Sequence, residues 1–219
     1  TATAVRVVQT YLPQESPSDR SETVRRARDW LIKTQPQSTE DAAFRLMGLV
    51  WADASPDQTR AASRELIERQ QSNGGWPQLA RYESDAYSTG EALYALREAG
   101  VPTSDPVWQK GLKFLVSTQA RDGTWRVRTR MISPAEVSPE YFTTGFPYGK
   151  DEFLSYAGSC WAVMALMSAV PESPEPASAV AAASSTEVPW ARAALFGTAS
   201  DLKALLDAGL DPNSKTERG

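Results

Sequence analysis

The stretch from Lys110 to Trp125 reads KGLKFLVSTQARDGTW, and it decides the fold that we predict for the chain. Its first half predicts an amphipathic helix, because Trp108, Leu112 and Leu115 fall on one helical stripe. The Asp-Gly pair that follows predicts a tight turn, since glycine adopts a positive φ without steric cost. A helix, a turn and a tryptophan therefore form one unit.

This unit is defined by the spacing between a glutamine, a glycine and a tryptophan. Gln119 stands near the end of the predicted helix, four positions before Gly123 and six before Trp125. A second copy with the same spacing consists of Gln70, Gly74 and Trp76.

A partial copy stands earlier in the chain. Residues 26–35 keep a basic-small pair, an aromatic-leucine pair and a glutamine, Gln35, but Pro36 follows and no Gly-x-Trp does. The three glutamines, at positions 35, 70 and 119, are 35 and 49 residues apart. Spacings of this size are typical of repeat architectures.

These units resemble the QW repeat of the squalene-hopene cyclase and oxidosqualene cyclase superfamily. That repeat reads basic-small-x-x-aromatic-aliphatic-x-x-x-Gln-x-x-x-Gly-x-Trp. The copy ending at Trp125 matches it throughout, the copy ending at Trp76 matches its second half, and the copy ending at Gln35 matches its helical half. The resemblance covers residues 1–170 and implies an all-α fold: an α/α toroid of antiparallel hairpins, with inner and outer helices and an incomplete ring. A generic helical solenoid of the TPR or HEAT type is the alternative.

Capping signals predict where the helices begin. We expect the first outer helix to begin at Ser21 and the second to span residues 57–71. The third should begin at Pro106, because proline is well suited to the first turn of a helix. Ser38 and Asp85 are the expected N-caps of two inner helices, although Ser84 is an alternative to Asp85.

The repeat pattern loosens after Trp125. Residues 126–150 are rich in Pro, Gly and aromatic residues and predict a long loop, and such loops are often functional. Residues Phe153 to Val170 then carry no charge. Those 18 residues could form a membrane span, but a helix buried in the inner ring needs the same apolar coverage.

The last 49 residues differ in composition. Residues 171–189 are rich in Pro, Ala and Ser and predict a linker. Residues 190–219 resemble an ankyrin repeat, whose Leu-Leu-x-x-Gly-x-x-Pro-Asn ending runs here from Leu205 to Asn213. One such unit cannot bury its hydrophobic face alone, so we expect the native protein to continue past Gly219. The resemblance implies a protein partner.

Composition excludes several classes of function. The net charge is −4, and no run of Lys or Arg exceeds two residues, which argues against a nucleic-acid partner. The sequence contains no histidine, so a Ser-His-Asp triad, a His-ligated zinc or haem, and the zinc site of a prenyltransferase-like toroid are excluded. Cys160 is the single cysteine and cannot form an intramolecular disulfide. We expect no metal and no cofactor.

The cyclases that this chain resembles protonate an alkene or epoxide with an Asp-x-Asp-Asp motif at the mouth of an inner helix. The nearest match begins at Asp85, but Tyr87 and Ser88 occupy the two later acid positions. A tyrosine with a pKa of about 10 cannot protonate an alkene. We therefore interpret Asp85, the one weak catalytic candidate, as a helix cap. The predicted function is a non-catalytic binding or protein-interaction scaffold; the alternative is a terpene cyclase whose acid motif is lost or lies outside this chain.

Aromatic residues are concentrated on the predicted inner helices and the long loop. The expected lining of a central cavity is Trp51, Tyr87, Tyr94, Phe146, Tyr156 and Trp161. Such walls suit an extended apolar, lipid-like ligand. The alternative is that these rings fill the core of a shrunken toroid.

Overall fold

The computed structural model describes residues 1–11, 17–129 and 145–170, together with 203, 207 and 208. Within these ranges the chain is mostly helical, as predicted. The helices are α1 Ala2–Tyr11, α2 Pro17–Lys33, α3 Thr39–Trp51, α4 Pro56–Ile67, α5 Ala86–Glu98, α6 Pro106–Thr118 and α7 Glu152–Ala169. A short antiparallel ribbon joins β1 (Trp76–Pro77) to β2 (Ser84–Asp85), and a 3₁₀ turn (Gly149–Asp151) precedes α7.

The helices form two layers. We call α1, α3, α5 and α7 the central helices, because each packs against the next in that order. The flanking helices α2, α4 and α6 pack on them: α2 on α1 and α3, α4 on α3, and α6 on α5 and α7. The core lies between the layers, where Leu46, Leu66, Leu93 and Leu115 are fully buried.

Glycines let the central helices α5 and α7 approach closely. A Cβ at Gly90 would lie 2.4 Å from the carbonyl carbon of Trp161. A Cβ at Gly158 would lie 3.3 Å from the Tyr87 nitrogen of α5 and 2.5 Å from Cγ2 of Val127, which precedes α7 in the chain. A larger residue at Gly90 would therefore push the two helices apart, and one at Gly158 would displace Val127.

The predicted N-cap at Ser38 and the predicted helix start at Pro106 are confirmed. The Ser38 hydroxyl accepts from the Asp41 N–H at 3.0 Å, and the Asp41 carboxylate accepts from the Ser38 N–H at 2.9 Å. Pro106 opens α6 behind Asp105, whose carboxylate accepts from the Val107 N–H at 2.8 Å. These bonds satisfy backbone donors that a helix start leaves unpaired.

Two predicted helix ends are wrong. The first flanking helix begins at Pro17 rather than Ser21, because proline is tolerated in the first turn and Asp19 there favours the helix dipole. The second ends at Ile67 rather than residue 71. There the chain leaves the helix to close a turn in which the Gln71 N–H donates to the Gly75 carbonyl at 2.9 Å.

The start of the predicted long loop is anchored to the start of α7. The Arg126 guanidinium donates to the buried Asp151 carboxylate at 2.8 Å, and the Thr129 N–H donates to the same group at 3.0 Å. The Val127 N–H donates to the Ser155 hydroxyl at 2.9 Å. Residues 130–144 of that loop lie outside the described residues.

The chain divides into two compact units, Thr1–Pro171 and Glu172–Gly219. The predicted linker and the ankyrin-like segment lie outside the described residues, except that Lys203 and Asp207 are helical and form an ion pair of 2.9 Å. None of the helices in the described ranges combines the length and the hydropathy that a membrane crossing requires.

Candidate functional site

The two complete repeat units form turns of the same geometry, which we call the first Gln–Trp turn (residues 70–76) and the second Gln–Trp turn (residues 119–125). In each, the glutamine Nε2 donates to the carbonyl oxygen of the glycine four residues later: Gln70 to Gly74 and Gln119 to Gly123, both at 2.9 Å. The glycines have φ of 89° and 85°, respectively. The predicted residues therefore act as backbone anchors within each turn.

The tryptophan of each turn ties a flanking helix to the following central helix. Trp76 Nε1 donates to the Leu66 carbonyl of α4, and Trp125 Nε1 donates to the Leu115 carbonyl of α6, both at 2.8 Å. The two backbone N–H groups donate to hydroxyls of the next central helices: Trp76 to Thr89 of α5 at 2.9 Å, and Trp125 to Ser159 of α7 at 3.0 Å. Both indoles are buried, so these residues hold the layers together.

The partial first copy has a different geometry. Gln35 is exposed after the end of α2, and its carbonyl accepts from Gln37 Nε2 at 3.2 Å. The neighbouring Pro36 carbonyl accepts from the guanidinium of Arg69 at 2.9 Å. Arg69, which follows α4, therefore contacts the segment after Gln35, where the complete copies have their own Gly-x-Trp turn.

Asp85 is the N-cap of α5. Its carboxylate accepts from the Ser88 N–H at 2.8 Å, and its backbone pairs with Trp76 in the two-stranded ribbon. Tyr87, two residues on, reaches the carboxylate of Glu40 on α3, with 3.3 Å between the phenol and carboxylate oxygens. Burial raises the pKa of Tyr87 to about 12. The carboxylates of Glu91 and Glu40 raise this pKa further, and a hydrogen bond from Trp161 lowers it.

Glu91 is a functional candidate that the sequence interpretation missed. It lies on α5 and is fully buried, and neither carboxyl oxygen has a hydrogen-bond partner among the described residues. Burial raises the pKa of Glu91 to about 9, with further contributions from the carboxylates of Glu40, Asp85 and Asp41. At neutral pH Glu91 is therefore an uncharged carboxylic acid. Glu91 follows Tyr87 by four residues and precedes Tyr94 by three. This helical spacing would have placed Glu91 on the same face of α5 as the two tyrosines.

Aromatic rings surround this part of the central layer. The Trp161 ring lies 6.5 Å from that of Phe44, edge to face, and 5.7 Å from that of Tyr94. These ring contacts, the hydrogen bond from Tyr87 to Glu40 and the electrostatic interactions of Glu91 with both define a group that we call the Glu91 cluster: Glu40, Phe44, Tyr87, Glu91, Tyr94 and Trp161. It contains side chains from three central helices, α3, α5 and α7.

The structure does not bring the six predicted lining residues into one group. Tyr87, Tyr94 and Trp161 belong to the Glu91 cluster, whereas Trp51 lies at the end of α3, where its Nε1 donates to the Glu98 carboxylate at 3.0 Å. Phe146 and Tyr156 instead form a separate pair, with ring centres 5.6 Å apart. Tyr156 is 54% exposed, so this pair lies at the surface.

The cluster offers half-buried aromatic faces beside acidic groups. Tyr87, Tyr94, Phe44 and Trp161 each keep part of their surface accessible. Within the described ranges, no group of three or more Cys, Asp or Glu side chains is placed to hold a metal ion. The arrangement suits non-covalent contact with an apolar molecule, because aromatic faces supply large apolar area at low entropic cost.

Comparison with known proteins gives one family match. Residues 14–132, more than half of the chain, match the squalene-hopene cyclase N-terminal domain. No curated protein matches the chain.

Proposed function

The chain belongs to the squalene-hopene cyclase N-terminal domain family, and we propose that it is a non-catalytic member whose central helices bind an uncharged, lipid-like molecule. In this proposal the central helices are the inner wall and the flanking helices the outer wall of an α/α toroid. The two-layer packing of α1 to α7 supports that arrangement.

The proposal depends on the observation that neither Asp85 nor Glu91, the acids near the aromatic rings, is suited to donate a proton to a substrate. A cyclase must protonate an alkene or epoxide, which requires a strong acid held in reach of the substrate. The Asp85 carboxylate caps α5, and the pKa of Glu91 is raised to about 9, which weakens it as an acid. Each unit of pKa adds about 1.4 kcal/mol to the cost of losing the proton, so Glu91 is poorly suited to start a cyclisation.

The same groups select for an uncharged ligand. Glu40, Asp41 and Asp85 all contribute to the raised pKa of Glu91, which indicates a negative potential at the cluster. A fatty carboxylate would meet that potential and be repelled, whereas a hydrocarbon or a long-chain alcohol would not. The rings of Phe44, Tyr94 and Trp161 supply the apolar contact.

A titration with hexadecanol, hexadecanoate and squalene tests this function, with complexes counted by native mass spectrometry. We expect hexadecanol and squalene to bind and hexadecanoate to bind more weakly at pH 7. Trp161→Ala should weaken hexadecanol binding about tenfold, which corresponds to about 1.4 kcal/mol. Trp161→Phe keeps a ring and should retain most of the affinity.

The matched control is Trp30→Ala on α2, since Trp30 is 54% exposed and is not part of the cluster. It should leave binding unchanged. The proposal is wrong if none of the three lipids binds, or if Trp161→Ala and Trp30→Ala behave alike. A cyclised product from squalene or oxidosqualene that disappears in Asp85→Asn would instead establish the cyclase alternative.

The scaffold function is a second candidate, and the ankyrin-like ending from Leu205 to Asn213 favours it. We propose that residues 190–219 contribute to the binding of a protein partner. Deletion of residues 190–219 should abolish co-purification of that partner while leaving lipid binding intact. Loss of lipid binding in the same deletion would contradict a separate role for this segment.

A further inference from the structure

The outer face of α7 is uncharged and exposed. Its large apolar residues, together with Val170 just after its end, keep 40–65% of their surface accessible: Phe153, Tyr156, Val163, Met164, Met167 and Val170. The opposite face of the helix packs against α5, where Ala162 and Ala165 are fully buried. Cys160 is also exposed, and no charged residue occurs between Phe153 and Val170.

The exposed residues are arranged symmetrically about Cys160. Cys160 lies at the middle of α7, which spans Glu152–Ala169. Phe153 and Met167 lie seven residues before and after it, and Tyr156 and Met164 lie four residues before and after it. Offsets of four and seven fall on one face of a helix. On this face the two aromatic residues, Phe153 and Tyr156, precede Cys160. The two methionines, Met167 and Met164, follow it at the same distances.

We propose that this face binds a second copy of the chain, with the two α7 helices antiparallel about a two-fold axis that passes beside Cys160. In that arrangement Phe153 meets the partner's Met167, and Tyr156 meets the partner's Met164. A two-fold interface requires such self-complementarity, because each contact is formed twice. Methionine sulfur packs favourably against aromatic rings.

The exposed area is sufficient for such a dimer. The six apolar residues expose roughly 600 Å² per copy, so pairing would bury roughly 1,200 Å², the lower end for specific complexes. No charge on the face would have to be desolvated. Since α7 is the last of the described central helices, a second copy would also cover that end of the layer, as solenoid ends require.

Two other occupants fit the face less well. A lipid surface is disfavoured because the helix carries no Lys or Arg from Phe153 to Val170 that could contact lipid head groups. Head-to-tail packing on α1, at the other end of the central layer, is disfavoured because the exposed residues of α1 include Thr3, Arg6 and Thr10. The inference does not depend on the proposed ligand.

Light scattering after size exclusion, from 1 to 100 µM protein, tests the interface. The wild-type chain should elute as a dimer at the highest concentrations. Met167→Glu and Phe153→Lys should each weaken the dimer at least tenfold, because each leaves an unpaired charge in an apolar contact. The double variant should regain the dimer, since antiparallel pairing brings Lys at one position opposite Glu at the other. A parallel pair would not be rescued in this way.

The matched control is Val116→Glu on α6, an exposed apolar residue (62%) on another face. It should leave the dimer unchanged, and circular dichroism should show that all variants are folded. A monomer at 100 µM, a dimer that resists Met167→Glu, or monomeric binding to phosphatidylcholine vesicles that Met167→Glu abolishes would each overturn the proposal.

Cysteine crosslinking provides a second readout. Diamide should oxidise two Cys160 thiols to one disulfide, taking up two electrons and two protons and becoming the hydrazine. On a non-reducing gel we expect a covalent dimer that reverses with dithiothreitol and is absent in Cys160→Ser. Little crosslinking in a sample that scatters as a dimer would overturn the placement of the two-fold axis beside Cys160.

Discussion

The two Gln–Trp turns have the same internal hydrogen bonds but different surroundings. In the first turn Gln70 Nε2 also donates to the Val107 carbonyl at the start of α6, at 2.9 Å. A Cβ at Gly74 would lie 2.6 Å from the Lys110 carbonyl oxygen, whereas among the described residues a Cβ at Gly123 would meet the side chain of its own turn's glutamine alone, at 3.9 Å. The first turn is therefore enclosed by the next flanking helix, and no described helix encloses the second.

This difference separates two contributions to the stability of a repeat. The bonds from Gln to Gly, and from Trp to the helix ten residues earlier, belong to each unit by itself. The contacts of the first turn with Val107 and Lys110 belong to the interface between neighbouring units. In repeat proteins the stability is approximately the sum of such intrinsic and nearest-neighbour contributions. Equivalent substitutions in the two turns should therefore differ by the interface contribution.

The largest effects should come from the two tryptophans. Trp76→Ala and Trp125→Ala should each lower the free energy of unfolding by about 3–5 kcal/mol, since both indoles are buried. Trp76→Ala should be the more severe, because α6 packs over this ring at Gly111. Chemical denaturation gives both values.

Trp30→Ala is the control for these variants and should cost less than about 1 kcal/mol, because Trp30 is half exposed. If Trp125→Ala melted within a degree or two of the wild type, the repeat would not be held together by its tryptophan.

The turns could be predicted from the sequence because their geometry is local. The Gln-x-x-x-Gly-x-Trp spacing contains the donor, the residue that adopts a positive φ and the ring, all within seven residues. The ends of the flanking helices were less predictable. Gln70 continues the helical pattern of α4, but its bond to Gly74 belongs to the turn that follows that helix.

Glu91 and the outer face of α7 depend on tertiary structure and could not be predicted in the same way. A glutamate in a helix is usually solvated, and this one is buried because of how α5 packs against its neighbouring helices. The uncharged run from Phe153 to Val170 was consistent with a membrane span or a helix buried in the inner ring, but one face of α7 is exposed in the part of the chain that the structure describes. Periodicity reveals which residues share a face, and it does not reveal whether a neighbour covers that face.

The turns also contrast with Glu91, since their glutamines are paired and its carboxyl oxygens are not. Because burial raises the pKa of Glu91 from 4.5 to about 9, the folded state keeps a proton that the unfolded state releases. The protonated Glu91 therefore contributes its full stabilisation of the folded state below pH 4.5, and this stabilisation is lost as the pH rises towards 9. Over that range Glu91 should account for a decrease of a few kcal/mol in the free energy of unfolding.

Glu91→Gln should remove this decrease. Compared at pH 5, 7 and 9 by urea denaturation, the variant should gain stability relative to the wild type at each step. Glu68→Gln, at an exposed position after α4, controls for the loss of one carboxyl group. Curves for Glu91→Gln that run parallel to the wild type across this range would contradict a buried, uncharged Glu91.

The glycines should show the enclosure of the first turn directly. Gly123→Ala should cost about 1–2 kcal/mol, because its φ of 85° disfavours a side chain in otherwise open space. Gly74→Ala should cost about 1 kcal/mol more, because the same backbone strain is joined by contact with the Lys110 carbonyl. Equal losses for the two variants, measured by thermal unfolding, would show that α6 does not press on the first turn.

The smallest expected difference lies between the glutamines, and it measures the link between units most directly. Gln119→Ala removes one hydrogen bond to the Gly123 carbonyl in an exposed turn, which should cost about 0.5–1 kcal/mol. Gln70→Ala removes two bonds in a half-buried site, including the one to Val107 that joins the end of α4 to the start of α6. Its cost should be about 2 kcal/mol, since two carbonyls in a half-buried site each lose a hydrogen bond. Hydrogen exchange then distinguishes the two contributions: Gln70→Ala should speed exchange at the start of α6 as well as in its own turn, and Gln119→Ala should speed exchange in its own turn only. If both variants affected only their own turns, the bond to Val107 would contribute nothing to the coupling of the repeats.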